Sequence, residues 1–198
     1  MMKLKIITLA SLVLSFSVLA DVPPSAAVCA GCHGQQGQGV EPLGPRLAGL
    51  PAGYIEKQIN LFQTGQRQNP AMQSMSMMVQ GDAINQVAEY FAAMDVPLVK
   101  PHFRGEKADY PDATERLVYQ GDWDRMIPAC VTCHGPSGLG VGEFPRLAGQ
   151  QASYIKSQLL AWQSGTRKGD LDGVMHNIAT KLTPSEIDAL SQYFATLK

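Results

Sequence analysis

The chain is written twice. Cys29 returns as Cys130, 101 residues further on, and Pro45-Arg46-Leu47-Ala48-Gly49 returns unchanged as Pro145-Arg146-Leu147-Ala148-Gly149 at an offset of 100. Tyr54-Ile55, Gln58, Gly65 and Arg67 recur as Tyr154-Ile155, Gln158, Gly165 and Arg167, and Tyr90-Phe91 recurs as Tyr193-Phe194 at an offset of 103. Two copies of this length make a duplicated domain, since a solenoid repeats every ~20–50 residues. Each copy has roughly 80 residues, too few to bury a large core, so something besides its own side chains must help to fill it.

The repeated unit reads as helical, which sets the fold class as all-α. Residues 52–64 and 152–164 are helix candidates, each followed by a glycine, Gly65 or Gly165, placed to stop it. The last helix of each half carries one apolar stripe. Ile84, Val87, Phe91 and Met94 match Ile187, Leu190, Phe194 and Leu197, at spacings of 3, 4 and 3, which keeps a single face. Thr183-Pro184-Ser185-Glu186 predicts a capping box with proline at the first helical position. Asp82 is expected to cap the matching helix of the first half. No segment alternates in the way a strand does. The expected organisation is a leader at 1–20, a first domain at 21–94, a linker at 95–112 and a second domain at 113–198. Pro97, Pro101 and Pro111 stiffen the linker, and His102 within it is expected to be solvated.

The leader is read from three features. Lys3 and Lys5 stand near the start without an acid, Ile6 to Leu19 is apolar but for Thr8, Ser11, Ser15 and Ser17, and Val18-Leu19-Ala20 precedes Asp21. That is a secretory signal, too short to be a membrane span; a retained anchor is the alternative. Removing it takes the formal charge from −1 to −3. Acids and bases are interspersed, so no nucleic-acid surface or polybasic membrane patch is expected. A periplasmic protein follows, soluble or loosely associated with the membrane.

The four cysteines then carry the chemistry. They stand as Cys29-Ala-Gly-Cys32-His33 and Cys130-Val-Thr-Cys133-His134. On a helical turn, two thiols at this spacing face one way and add to the two vinyl groups of one haem, and the adjacent imidazole lies under its iron. A shared zinc site would need both halves to meet at one metal and leaves the two histidines unused. A thioredoxin-like pair would need a βαβ setting, and plain disulfides ignore the histidines. The motif therefore implies two covalently bound haem c groups, held by Cys29, Cys32, Cys130 and Cys133, with His33 and His134 as iron ligands.

A soft methionine opposite histidine is the electron-transfer arrangement. In the second half Met126 lies four residues before Cys130, on the side of the histidine, whereas Met175 lies 41 residues after His134 and is free to cross. His176 is the competing ligand. In the first half Met72, Met75, Met77 and Met78 compete. Counting forward from the shared arginine equates Met175 with Met75; counting back from the shared tyrosine equates it with Met72. The backward count runs through the final helix, where one extra residue would turn the stripe by ~100°, whereas loops absorb insertions. Met72 is therefore favoured, with Met75 as the alternative. Arg46, Arg146, Arg67 and Arg167 are either propionate partners or solvated surface groups, and Tyr54 and Tyr154 are expected to pack helices.

With these residues in place the sequence resembles the cytochrome c4 family of dihaem periplasmic cytochromes. The likeness rests on both Cys-x-x-Cys-His segments, both Pro-Arg-Leu-Ala-Gly runs, the tyrosines and glutamines after them, and Leu182-Thr183 before the last helix. The resemblance implies two class I cytochrome c domains about an approximate two-fold axis, His–Met ligation in each, and Pro45 and Pro145 accepting a hydrogen bond from the histidines. It agrees with Met72, since Met175 precedes Leu182 by seven residues and Met72 precedes Val79 by seven. Only residues 21–28 precede Cys29, so the first domain's opening helix is short for the family. The expected function is one-electron transfer without bond chemistry, and so no enzyme. A monomeric carrier would pass electrons between redox proteins, from a quinol-oxidising complex or dehydrogenase to a terminal oxidase or reductase. The alternatives are a haem subunit of a sulfide- or thiosulfate-oxidising enzyme complex, and a dihaem peroxidase.

Overall fold

The computed structural model describes residues 22–103 and 110–197; the expected leader lies outside them. The described residues form ten α-helices. The first half contains α1 (Pro24–Ala27), α2 (Ala30–His33), α3 (Ala52–Gln63), α4 (Pro70–Ser76) and α5 (Asp82–Ala92). The second contains α6 (Ala113–Tyr119), α7 (Cys130–His134), α8 (Ala152–Ser164), α9 (Val174–Ala179) and α10 (Pro184–Thr196). Extended pairing among the described residues is limited to isolated bridges, so the tandem all-α reading holds.

Each half builds its core by laying its longest helix on its last one. α3 packs on α5, with Ile55 and Ile59 in one cluster with Val87 and Phe91. α8 packs on α10, with Ile155, Leu159 and Trp162 gathered with Ile187, Leu190 and Phe194. Val87 and Phe91 are the buried members of the first stripe, and Ile187, Leu190 and Phe194 those of the second. Ile84, Met94 and Leu197 only flank the clusters, because a stripe drifts off the contact line toward the helix ends.

The helix ends show which local signals decide. α10 starts with the expected capping box: Thr183 Oγ1 accepts the Glu186 N–H at 3.2 Å, and Glu186 accepts the Thr183 N–H at 2.8 Å. α5 differs from expectation. Its N-cap is Gly81, and Asp82 lies inside the first turn without a side-chain capping bond, where a carboxylate still complements the helix dipole. The opening helices are unequal, one turn in α1 against two in α6. In the second half Tyr193 hydroxyl donates to Tyr119 hydroxyl at 3.1 Å, and Tyr110 stacks on Tyr119 with ring centroids 5.1 Å apart.

His102 is not solvated as expected. Its N–H donates to Ser137 Oγ at 2.7 Å, its Nε2 lies 3.1 Å from the Tyr110 hydroxyl, and its ring packs edge-on against Tyr119. The residue is half-buried, and Tyr110 after it is in the second core. His102 and Tyr110 thus lie against the second half. Asp112, at its end, caps α6 by accepting the Glu115 N–H at 2.8 Å.

The halves are joined by a two-fold clasp. Arg67 donates to Tyr154 hydroxyl (2.7 Å) and Gln158 Oε1 (2.7 Å) across the interface and to Gln58 Oε1 (2.9 Å) on its own side. Arg167 mirrors it, donating to Tyr54 hydroxyl (2.9 Å), Gln58 Oε1 (3.1 Å) and Gln158 Oε1 (3.0 Å). Backbone bonds from Gln68 N–H to Thr166 O and from Lys168 N–H to Gln66 O close the seam. The tyrosines therefore serve as cross-interface acceptors, beyond the helix packing expected of them.

Candidate haem sites

Each Cys-x-x-Cys-His segment forms a short helix ending at its histidine, with α2 carrying Cys32 and His33 and α7 carrying Cys130, Cys133 and His134. The chain then turns sharply through Gly34 (φ +83°) or Gly135 (φ +75°), a backbone conformation that side chains with a Cβ resist. The turn brings the Pro-Arg-Leu-Ala-Gly loop back beneath the histidine. In the first half that loop comes so near that a Cβ on Gly44 would stand 3.1 Å from the His33 ring.

The two histidines are prepared alike. His33 Nδ1 lies 2.8 Å from Pro45 O, and His134 Nδ1 lies 2.9 Å from Pro145 O. A carbonyl only accepts, so Nδ1 carries the proton and Nε2 keeps a free lone pair for a metal. Burial lowers both imidazole pKa values, which keeps the ring neutral and able to ligate. The prolines thus do more than stiffen a loop, since such a bond fixes the ring and raises its basicity.

No disulfide joins any two of the four cysteines. Burial, with Cys32 nearby, pushes the Cys29 thiol up, and burial takes Cys130 to about 12. A thioredoxin-type nucleophile is shifted the other way. Among the described residues no three His, Cys, Asp or Glu side chains gather as a metal site, so the four-thiol zinc arrangement is not formed.

The methionine loops are equivalent in a way that the sequence counts left open. Gln63 Nε2 donates to Ser76 O and Val79 O, both at 2.8 Å, and Gln163 Nε2 donates to Ala179 O at 2.7 Å and Leu182 O at 3.0 Å. This equates Ser76 with Ala179 and Val79 with Leu182, hence Met72 with Met175. A second pair of bonds agrees: Met72 N–H donates to Asn69 Oδ1 at 2.9 Å, and Met175 N–H to Asp170 Oδ2 at 2.6 Å. Met175, like Cys130, is partly buried against the second core. His176 is exposed, with its Nδ1 2.8 Å from Trp162 O. Met77, Met78 and Met126 are exposed.

Arg67 and Arg167 are not solvated: they are 6% and 7% exposed, over the faces of Phe62 and Trp162. Among the described residues no carboxylate is a hydrogen-bond partner of either, and Arg167 Nε is buried without a partner. Burial pushes the Tyr54 phenol up, but Arg167 and Arg67 outweigh it and hold it below the usual phenol value. Two buried cations without a counter-charge suit a cofactor that brings carboxylates of its own. Paired thiols, a neutral histidine with Nε2 free and a cationic seam together fit haem in each half.

Comparison with known proteins agrees with this chemistry. The family model described as cytochrome c matches residues 25–95 and again 99–198. The crystal structure of reduced recombinant cytochrome c4 from Pseudomonas stutzeri superposes with a TM-score of 0.74 at 30% identity, covering 87% of this chain and 95% of that one. This chain belongs to the cytochrome c4 family. It carries two covalent haem c groups and is a dihaem electron carrier. The thiosulfate dehydrogenase electron acceptor of Stutzerimonas stutzeri is 44% identical to this cytochrome over 176 residues, spanning 88% of the chain and 81% of the relative. The structure titled thiosulfate dehydrogenase (TsdBA) from Marichromatium purpuratum matches with a TM-score of 0.75 at 42% identity, covering 85% of this cytochrome. The cytochrome spans only 36% of that longer chain.

Proposed function

We propose that this cytochrome is the periplasmic electron acceptor of a thiosulfate dehydrogenase, passing the electrons on to a terminal oxidase or reductase. The observation that carries the reading is the 44% identity to a protein of that name over nearly the whole chain. The related module in a longer chain titled thiosulfate dehydrogenase supports it. The chemistry is suited as well. Joining two thiosulfate anions through an S–S bond releases two electrons, and two haems store two.

In this reading residues 1–20 are removed on export, the domains are 21–94 and 113–198, and the mature protein acts as a monomer without catalysing bond chemistry of its own. Cys29 and Cys32 hold the first haem and Cys130 and Cys133 the second; haem iron supplies the one-electron chemistry. His33 and Met72 would ligate the first iron, and His134 and Met175 the second. The Pro45 and Pro145 carbonyls hold the imidazole rings in one orientation. Thioether ligation by Met72 and Met175 would raise the potential and suit electron transfer rather than peroxide chemistry. Arg67 and Arg167 offset the propionate charge.

Stopped-flow mixing of the oxidised protein with a thiosulfate dehydrogenase and thiosulfate tests the proposal through growth of the reduced haem band. Saturable reduction with both haems filled is expected. Reduction no faster than that of an unrelated class I cytochrome, alongside fast reduction by a quinol-oxidising complex, would overturn the choice of donor.

A further inference from the structure

The internal repeat is broken at one place that touches the iron chemistry. The segment after Pro145-Arg146-Leu147-Ala148-Gly149 is Gln150-Gln151, whereas after Pro45-Arg46-Leu47-Ala48-Gly49 it is Leu50-Pro51. The two glutamines reach across the interface. Gln150 Oε1 accepts the Arg46 N–H at 3.0 Å, and Gln150 Nε2 donates to Arg46 O at 3.0 Å. Gln151 Nε2 donates to Gly44 O at 3.1 Å. Pro45 is thereby bracketed on both sides by the second domain. Gln150 is only 5% exposed, and its Oε1 also accepts the Gln151 N–H at 3.0 Å, so its amide orientation is fixed by partners of both kinds.

Arg46 N–H and Pro45 C=O belong to one peptide unit. An acceptor on that N–H polarises the amide and makes its carbonyl a better acceptor, by ~10–30% per linked bond. That carbonyl is the one 2.8 Å from His33 Nδ1. A continuous chain therefore runs from Gln150 Oε1 through the Arg46–Pro45 amide to the His33 ring. The reciprocal chain does not exist, because Leu50 and Pro51 have no side-chain acceptor to offer the Arg146 amide.

We infer that Gln150 is a positioning residue by which the second domain tunes the first haem, strengthening the His33–Pro45 bond and so separating two otherwise matched potentials. The inference rests on His33 being the axial ligand of the first haem. A stronger Nδ1–H bond makes the imidazole more basic, which favours ferric iron and lowers the potential of that haem. The second haem, whose Pro145–Arg146 amide lacks this partner, is left unlowered. Electrons settle on the second haem first, and the lowering lasts only while the domains are docked.

The test compares the full-length holoprotein with Gln150→Leu, the residue the first domain carries at this position, and Gln150→Glu, which keeps an acceptor for the Arg46 N–H. Potentials are measured by redox titration. Each is assigned to its domain by the ring N–H resonances of His33 and His134 in the reduced state. Gln150→Leu is expected to raise the first potential alone, by a roughly 1.3- to 5-fold change in its redox equilibrium, which is at most ~40 mV for one electron. The His33 ring N–H moves upfield, as for a weakened bond, and His134 stays in place. Gln150→Glu is expected to leave the first potential at or below its original value. Equal movement of both potentials in Gln150→Leu would show general loosening of the interface and overturn the proposal, as would no movement of either. Failure of the ligand assignment is seen separately, since an iron-bound histidine and methionine have strongly ring-current-shifted signals in the wild-type protein.

Discussion

Replacing Arg67 by glutamine should uncouple the two domains. The variant removes three charge-assisted hydrogen bonds, to Gln58, Tyr154 and Gln158, two of which cross the interface. Bonds to charged groups are worth about 1.5–3 kcal/mol each, so the gross loss is ~4–9 kcal/mol. Part returns, because a buried guanidinium no longer has to be desolvated beside its twin. Gln58 and Gln158 also keep Arg167 as a donor. A net cost of about 3 kcal/mol corresponds to ~150-fold in the docking equilibrium. Denaturant unfolding followed separately at the haem bands and by far-ultraviolet circular dichroism should change from one transition to two, with scattering showing a larger radius before the second. Arg67→Lys should fail almost as badly, since a lysine cannot serve three acceptors in a planar fork. A single coincident transition at an unchanged midpoint in both variants would refute the view that the clasp holds the halves together.

Three further outcomes follow from the same structure. Met72→Ala should remove about half of the near-infrared methionine–iron band and let carbon monoxide bind one haem, as should Met175→Ala, while Met75→Ala leaves the band whole; the reverse result for Met72 and Met75 would show that the loop-side count was right. Thr183→Ala removes the side-chain half of the α10 capping box and should cost about 1 kcal/mol in chemical denaturation. Hydrogen bonds from Arg125, outweighing burial, hold the Glu186 carboxyl below its ordinary value. Its contribution is therefore complete above the unfolded value near ~4.3 and is lost as pH falls through the lower folded value, so Glu186→Gln should flatten the acid limb of the second domain's stability below about pH 4 and change little at pH 7.

Much of this architecture was legible because the chain supplies its own comparison. The duplicated stripe located the last helices, the local chemistry of Thr183-Pro184-Ser185-Glu186 located a helix start, and the family resemblance implied the Nδ1 bonds to Pro45 and Pro145. Where the prediction failed, the deciding partner was distant in sequence. Asp82 has the chemistry of a cap, yet Gly81 takes the capping position, a choice made by backbone geometry. His102 has a polar, proline-rich neighbourhood, but Ser137 and Tyr110 hold it against the second domain. Arg67 and Arg167 were visible as a repeated pair, but nothing local shows that each bonds to the other half's tyrosine. Gln150 and Gln151 stand where the repeat stops repeating, so the duplication carries no signal for them. The choice of Met72 over Met75 hung on where a loop insertion lay, and the carbonyls held by Gln63 and Gln163 support Met72 independently of that count.

The number of haems on the mature chain and the way they are attached decide whether this protein is a dihaem cytochrome c. The measurement is the intact mass of the denatured protein purified from the periplasm, taken with the haem absorbance that remains after acid extraction. The predicted result is a polypeptide beginning near Asp21 that is heavier by two haems, with all its haem absorbance retained. A mass equal to the bare chain, a single added haem, or haem lost to the extract would contradict it.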